Sequence, residues 1–327
     1  MSRARAAPML RMYVKPKEEV VTTILIGVDG SERTEDAVSF ARRLAGATTG
    51  RIVLASAFPY SDVPSRAANL TYRDALKSDA QRTVRRMSEL LSSVPAERIH
   101  TTAVANPSPA HALHDVAEAE DASIVVLGST HTGRAGRVMP GSTAERLLHG
   151  APCAVAVVPE GYREHGQPQI TRIGVAYNGS AESKAAVAAA AEAAAALDAE
   201  LTVISVIEAD IYGAPAMAGG PSYNILREDI EAAVRKGLES AVAGVPEGIR
   251  CVDACLEGDP SERLIAASEK LDLLVIGSRG YGPLRAVLAG GVSGRVIRGA
   301  HCPVIVVPRG VEAPLGELFG ATAKASV

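Results

Sequence analysis

The chain has 327 residues, 47% of them hydrophobic but only 3% aromatic, with no Trp and a net charge of −3. A core of Ala, Val, Leu and Ile favours layered helices on parallel strands over an aromatic-rich sandwich. The scarcity of rings argues against a base-stacking platform, and the weak negative charge against a basic field for nucleic acid.

Taken in chain order, residues 1–20 carry arginines but no apolar segment and read as a disordered leader of a cytoplasmic protein, with no membrane partner. Ile24–Val28 reads as a short apolar strand. Gly30-Ser31 follows, with Ser31 as the expected N-cap of a helix whose face is Ala37, Val38, Ala41, Leu44 and Ala45. Arg51–Phe58 predicts a second strand, residues 59–68 a loop, and the next segment a long polar helix ending near Ser92. Ile99–Ala105 is a third strand, His111–Glu120 a helix, and Ile124–Leu127 a fourth strand buried on both faces. Ser142–His149 and Ala154–Val158 complete the set as a short helix and a last strand.

The same order is then written again. TTILIGVDGSERTEDAVSFA from Thr22 matches TRIGVAYNGSAESKAAVAAA from Thr171, IVVLGS (124–129) matches LLVIGS (273–278), and APCAVAVVP (151–159) matches AHCPVIVVP (300–308), each pair 149 positions apart. The offset slips by about two residues between Pro109 and Pro260, which marks a small insertion. A domain of about 150 residues has been duplicated. The expected boundaries are 21–160 and 170–309, with 161–169 as linker and 310–327 as a disordered tail. The fold class is α/β: two tandem copies of a five-stranded, mostly parallel sheet with helices on both faces. The terminal strands Ala154–Val158 and Val304–Val307 are apolar edges, most simply satisfied by pairing with each other across a pseudo-twofold axis.

In such sheets ligands sit beyond the carboxyl ends of the strands. Two kinds of segment should lie there: Asp29-Gly30-Ser31 and its counterpart Asn178-Gly179-Ser180, and the glycine-bearing loops 128–142 and 277–293. Bare backbone at 277, 280, 290 and 291 lets amides converge on one point, a geometry suited to phosphate oxygens. Neither a P-loop nor the Gly-x-Gly-x-x-Gly dinucleotide fingerprint is present.

These residues resemble the signature of a tandem universal stress protein, Gly-x2-Gly-x9-Gly followed by Ser or Thr, over roughly residues 20–308. The resemblance implies a Rossmann-like, adenine-nucleotide-binding fold. The implied ligand is ATP or another adenine nucleotide, with or without Mg2+. It also implies intramolecular pairing of the two domains, and leaves a homodimer open. Carried over by position, the first copy supplies Asp29, Ala57, Gly128, Gly141 and Ser142, with His131 in place of the second glycine. The second copy supplies Val206, Gly277, Gly280, Gly290 and Ser293, with Asn178 in place of the Asp and Gly291 in place of the Ser/Thr.

Other constellations read more plainly. His111 and His114 share a helix face, but no further metal ligands are indicated. His131 and His149 suggest a base and its helper without a matching nucleophile. Arg134, Arg137, Arg279 and Arg285 are candidates to screen phosphate charge, or ordinary surface arginines. Cys153, Cys251, Cys255 and Cys302 read as small buried hydrophobes, because Cys251-x-x-x-Cys255 has neither zinc nor redox spacing. Three functions stay open: a nucleotide-responsive binding module acting in stress response, a slow ATPase or nucleotidyl-transfer enzyme, and a ligand-free scaffold.

Overall fold

Every predicted strand finds its place in one continuous sheet. The computed structural model describes residues 22–60, 70–130, 137–165, 169–208, 221–278, 291–308 and 318–319. The first half runs β1 (Thr23–Gly27), α1 (Glu32–Gly46), β2 (Arg51–Phe58), α2 (Leu70–Glu89), β3 (Ile99–Ala105), α3 (Pro109–Ala119), β4 (Ala122–Gly128), α4 (Ser142–Leu148) and β5 (Ala154–Val158). The second runs β6 (Arg172–Ala176), α5 (Ala181–Leu197), β7 (Glu200–Ile207), α6 (Pro221–Ala243), β8 (Cys251–Glu257), α7 (Pro260–Ser268), β9 (Leu273–Gly277), α8 (Val292–Ile297) and β10 (Val304–Val307).

The strand order is β3-β2-β1-β4-β5-β10-β9-β6-β7-β8, ten strands in one sheet. Neighbours within each half are parallel, whereas β5 and β10 pair antiparallel, with Val155 opposite Val306, Ala156 opposite Ile305 and Val157 opposite Val304. The two apolar terminal strands therefore cover each other, as their sequences predict. The offset between the halves grows where β7 meets β8: Ile52 pairs with Ile99, but its counterpart Leu201 pairs with Cys251. The inserted residues thus fall between those strands.

Strand alternation splits the core in two. On one face Ile24, Ile26, Ala154, Ala156, Ile305 and Val307 pack beneath α1, α2, α5 and α6. On the other, Leu25, Val125, Val155, Val157, Val304 and Val306 pack beneath α3, α4, α7 and α8. Both layers run across the β5–β10 seam, so the halves share their core. Leu318 and Phe319 are buried in the first layer. The Ala-rich α5 lies close on the sheet because Ala186, Ala189, Ala190, Ala193 and Ala194 present no bulk. Among the described residues no helix is long and apolar enough to cross a membrane.

Two helix starts differ from the sequence reading. Helix α3 begins at Pro109, earlier than expected, because proline is suited to a first helical turn and Ser108 accepts the amide of His111. Ser180 caps α5 by accepting the amide of Ser183 at 3.2 Å. Ser31, expected to cap α1 likewise, does not: its hydroxyl donates to Asp29 Oδ1 at 2.6 Å and leaves the helix uncapped by a side chain. A carboxylate two residues away competes better for the hydroxyl than an amide does.

The chain between the halves is tied down at its start. Tyr162–His165 forms a 3-10 turn over α1. Asp36, only 3% exposed, accepts the amides of Gly161 and Arg163, each at 2.9 Å. Tyr162 packs edge-on against Phe40, and its hydroxyl accepts from Arg43 at 2.6 Å. The Asp36→Ala variant should lose about 3 kcal/mol of stability in urea unfolding, because two buried amides lose their acceptor.

Cys153 and Cys302 are buried free thiols, and Cys251 and Cys255 are partly buried on β8. Burial pushes the Cys153 thiol up to about 12 and raises that of Cys302 as well, so neither is a nucleophile at neutral pH.

Candidate functional site

In each half the first strand lies between the second and the fourth, while the chain passes from the first to the second and only later returns to the fourth. That reversal opens a crevice at the carboxyl ends of the strands. In the first half it forms a cavity of about 310 Å³, reached by Asp29 after β1, Ala57 on β2, Gly128 at the end of β4, and Gly141 and Ser142 at the start of α4. All five positions expected of the first copy, apart from His131, meet there. The second cavity, about 360 Å³, gathers Asn178, Val206, Gly277, Gly291 and Ser293 in the same way. His131, Gly280 and Gly290 lie outside the described residues, as do Arg134, Arg279 and Arg285. Arg137 is described but is not among the residues lining the cavity.

The first cavity is organised around Asp29. Gly30 adopts φ +79°, a left-handed turn that an L side chain rarely enters, and folds the chain back over the carboxylate. Asp29 Oδ1 then accepts from the Ser31 amide at 3.0 Å, the Ser31 hydroxyl at 2.6 Å and the Thr34 hydroxyl at 2.7 Å. Burial pushes the Asp29 carboxyl up. The hydrogen bonds from Ser31 and Thr34, with the Arg33 charge, outweigh it and hold the group below its usual range. Asp29 is therefore ionised at neutral pH, and its side chain stays 65% exposed toward the cavity mouth.

The second cavity repeats the turn without the charge. Gly179 takes φ +78°, and Asn178 Oδ1 accepts the Ser180 amide at 3.1 Å. Ser183, in the place of Thr34, donates to the Ser180 carbonyl at 2.9 Å instead of to residue 178. Tyr177 and Glu208 add polar atoms that the first cavity lacks.

The loop glycines do two different jobs. A Cβ on Gly128 would stand 2.2 Å from the Arg33 carbonyl oxygen, and one on Gly277 would stand 2.6 Å from that of Glu182. Bare backbone is needed there because the first turn of α1 or α5 presses on the strand end. Among the described residues nothing lies within 4 Å of a Cβ at Gly291. The return of the first loop is pinned: the Thr130 amide donates to the Met139 carbonyl at 2.8 Å, and the Met139 amide to the Ser129 hydroxyl at 3.0 Å. The Val138 amide donates across the pseudo-twofold axis to the Ala300 carbonyl at 2.7 Å.

Sequence reasoning missed Arg33, Thr34, Leu113, Tyr177 and Glu208 as lining residues. The hydroxyl repeated at 34 and 183 was an available signal. Among the described residues no group of three His, Cys, Asp or Glu side chains is placed to hold a metal. His114 instead sits 3.8 Å from the carboxylates of Asp115 and Glu118 on its own helix.

A doubly wound α/β sheet with a polar cavity at each switch point defines the class. The universal stress protein family model matches residues 21–159 and 169–308, and the chain belongs to that family. It is 29% identical over 235 residues to a universal stress protein of Mycobacterium tuberculosis, covering 70% of this chain and 77% of that one. A universal stress protein of Mycolicibacterium smegmatis is 28% identical over 297 residues, 87% of this chain and 96% of its own. The crystal structure of a universal stress protein from Archaeoglobus fulgidus superposes with a TM-score of 0.64 at 20% identity, covering 88% of this chain and 98% of that one, a likeness of fold.

Proposed function

We propose that the chain is an adenine-nucleotide-binding stress protein, with ATP or a related adenine nucleotide held in each cavity and its occupancy setting conformation or partner choice. The observation that carries this reading is convergence: Asp29, Ala57, Gly128, Gly141 and Ser142 come from four separate segments into one cavity. An ionised carboxylate held by its own turn suits the hydroxyls of a ribose, which donate to it. The strand-end backbone at Ala57 offers amide and carbonyl groups to a base edge. Ser142 and Thr143 line the same space, and their hydroxyls suit phosphate oxygens. A cavity of this size is at the lower end for small-molecule sites.

Binding is favoured over turnover by how Asp29 is used. Its Oδ1 is occupied by three donors and its Oδ2 faces Arg33 at 3.7 Å, so it is poorly placed to hold a metal. Asn178 removes the charge altogether from the second cavity.

The test is nucleotide stoichiometry. Protein purified without added ligand is heat-denatured, released nucleotide is quantified by chromatography, and the intact protein is titrated with ATP. Two adenine nucleotides per chain are expected at saturation. The Gly141→Val variant is expected to retain one, because a Cβ at 141 already comes within 2.9 Å of Thr130 Cγ2. No binding at saturating ATP would leave the scaffold reading, and steady phosphate release would replace binding by catalysis.

A further inference from the structure

The two cavities share one plan but differ in the charged residues that line them. Arg33 presses its carbonyl oxygen and Cβ against Gly128 in the first half; Glu182 presses the same atoms against Gly277 in the second. The residues are 149 positions apart and occupy the same first-turn place on α1 and α5. Arg33 lines its cavity. Its side chain is only 26% exposed, yet it makes no hydrogen bond among the described residues, and its Nε is buried without a partner. Its one ionic neighbour, Asp29 Oδ2, stands 3.7 Å away, too far for a hydrogen bond. A partly desolvated guanidinium with unused donors is costly unless an anion completes it. Asp29 Oδ2 offsets the charge at that distance but takes up none of the donors.

We propose that Arg33 is the phosphate-selecting residue of the first cavity, which therefore holds a nucleoside polyphosphate more tightly than the second cavity does. This rests on the adenine-nucleotide reading of both cavities. The planar fork of Arg33 can grip two phosphate oxygens at once, which a point charge cannot. In the second half no arginine lines the cavity among the described residues, and Glu208, which does, repels that charge. Asn178 leaves the turn neutral there.

The experiment is a calorimetric titration of the full chain with ATP and, separately, with adenosine, on the wild type and Arg33→Glu. A glutamate in the first turn of α1 is favourable to the helix, so Arg33→Glu should keep its fold, checked by its urea midpoint. ATP should bind the wild type in two unequal classes. Arg33→Glu should weaken the tighter class by about tenfold to a hundredfold, the range for one charged hydrogen-bonding group. Its adenosine affinity should move by less than about twofold. Equal weakening of ATP and adenosine in Arg33→Glu would overturn the proposal and make Arg33 a support for Asp29. Two identical ATP classes in the wild type would overturn it too, while leaving the nucleotide reading intact. Absence of both ligands from the wild type would remove that reading and this proposal together.

Discussion

Replacing Gly128 with alanine is expected to cost about 3 kcal/mol or more of stability, while alanine at Gly291 should change it by less than about 0.5 kcal/mol. The contrast comes from what surrounds each position. An added methyl at 128 would meet the carbonyl oxygen and carbon of Arg33 at 2.2 and 2.7 Å. Both atoms belong to the backbone of α1, which cannot turn aside as a side chain can. To make room, the first turn of α1 must lift off the end of β4. Lifting it displaces Asp29 and Thr34, whose hydrogen bond ties that turn to the cavity. Gly128→Ala is therefore expected to lose ligand at the first cavity as well as stability. Gly291 has no neighbour within 4 Å of an added Cβ among the described residues and an ordinary φ of −74°, so its alanine variant serves as the control. Urea unfolding of the two variants beside the wild type checks the prediction. Equal midpoints would show that α1 can shift freely.

Ile305→Asp should be at least as damaging, with an expected loss above about 4 kcal/mol. Ile305 is fully buried on β10, opposite Ala156 on β5, in the core layer shared by both halves. A carboxylate there would sit in an apolar layer and must be taken out of water or protonated. Because that strand pair is the seam, the damage should not stay local. Each half keeps its own parallel strands, so unfolding should change from one cooperative step to two. Ile305→Ala, which removes methyl groups without adding charge, should lose about 2–5 kcal/mol and is the milder comparison. Far-UV circular dichroism against urea distinguishes these outcomes. A single unshifted transition for Ile305→Asp would mean that the seam contributes little.

Much of the fold was legible because its signals are local. The strands Arg51–Phe58, Ile99–Ala105 and Ala154–Val158 end where their apolar or alternating runs end. The internal repeat then did what no single segment could, since two copies of one pattern fixed which segments were equivalent. The pairing of β5 with β10 followed from two apolar edges needing cover. What escaped was set by neighbours distant in sequence. Ser31 looks like a cap until Asp29 is seen to take its hydroxyl. Gly128 reads as room for an anion, but the atoms against it belong to α1, 95 residues earlier in the chain. Nothing in the sequence sets Arg33 apart from the other arginines of the chain. Its meaning appears only when the end of β4 is brought beside it.

The antiparallel seam also bears on how such a molecule can change over generations. In an assembly of two identical chains, an alteration made near one pocket is stamped on the other, because both come from the same gene segment. Here the facing strands are encoded apart, in fixed one-to-one supply. Asp29 and Asn178, or Arg33 and Glu182, can drift separately while the shared sheet holds both halves in place. Fusion thus preserves the architecture of a symmetric pair and releases it from the obligation to stay symmetric.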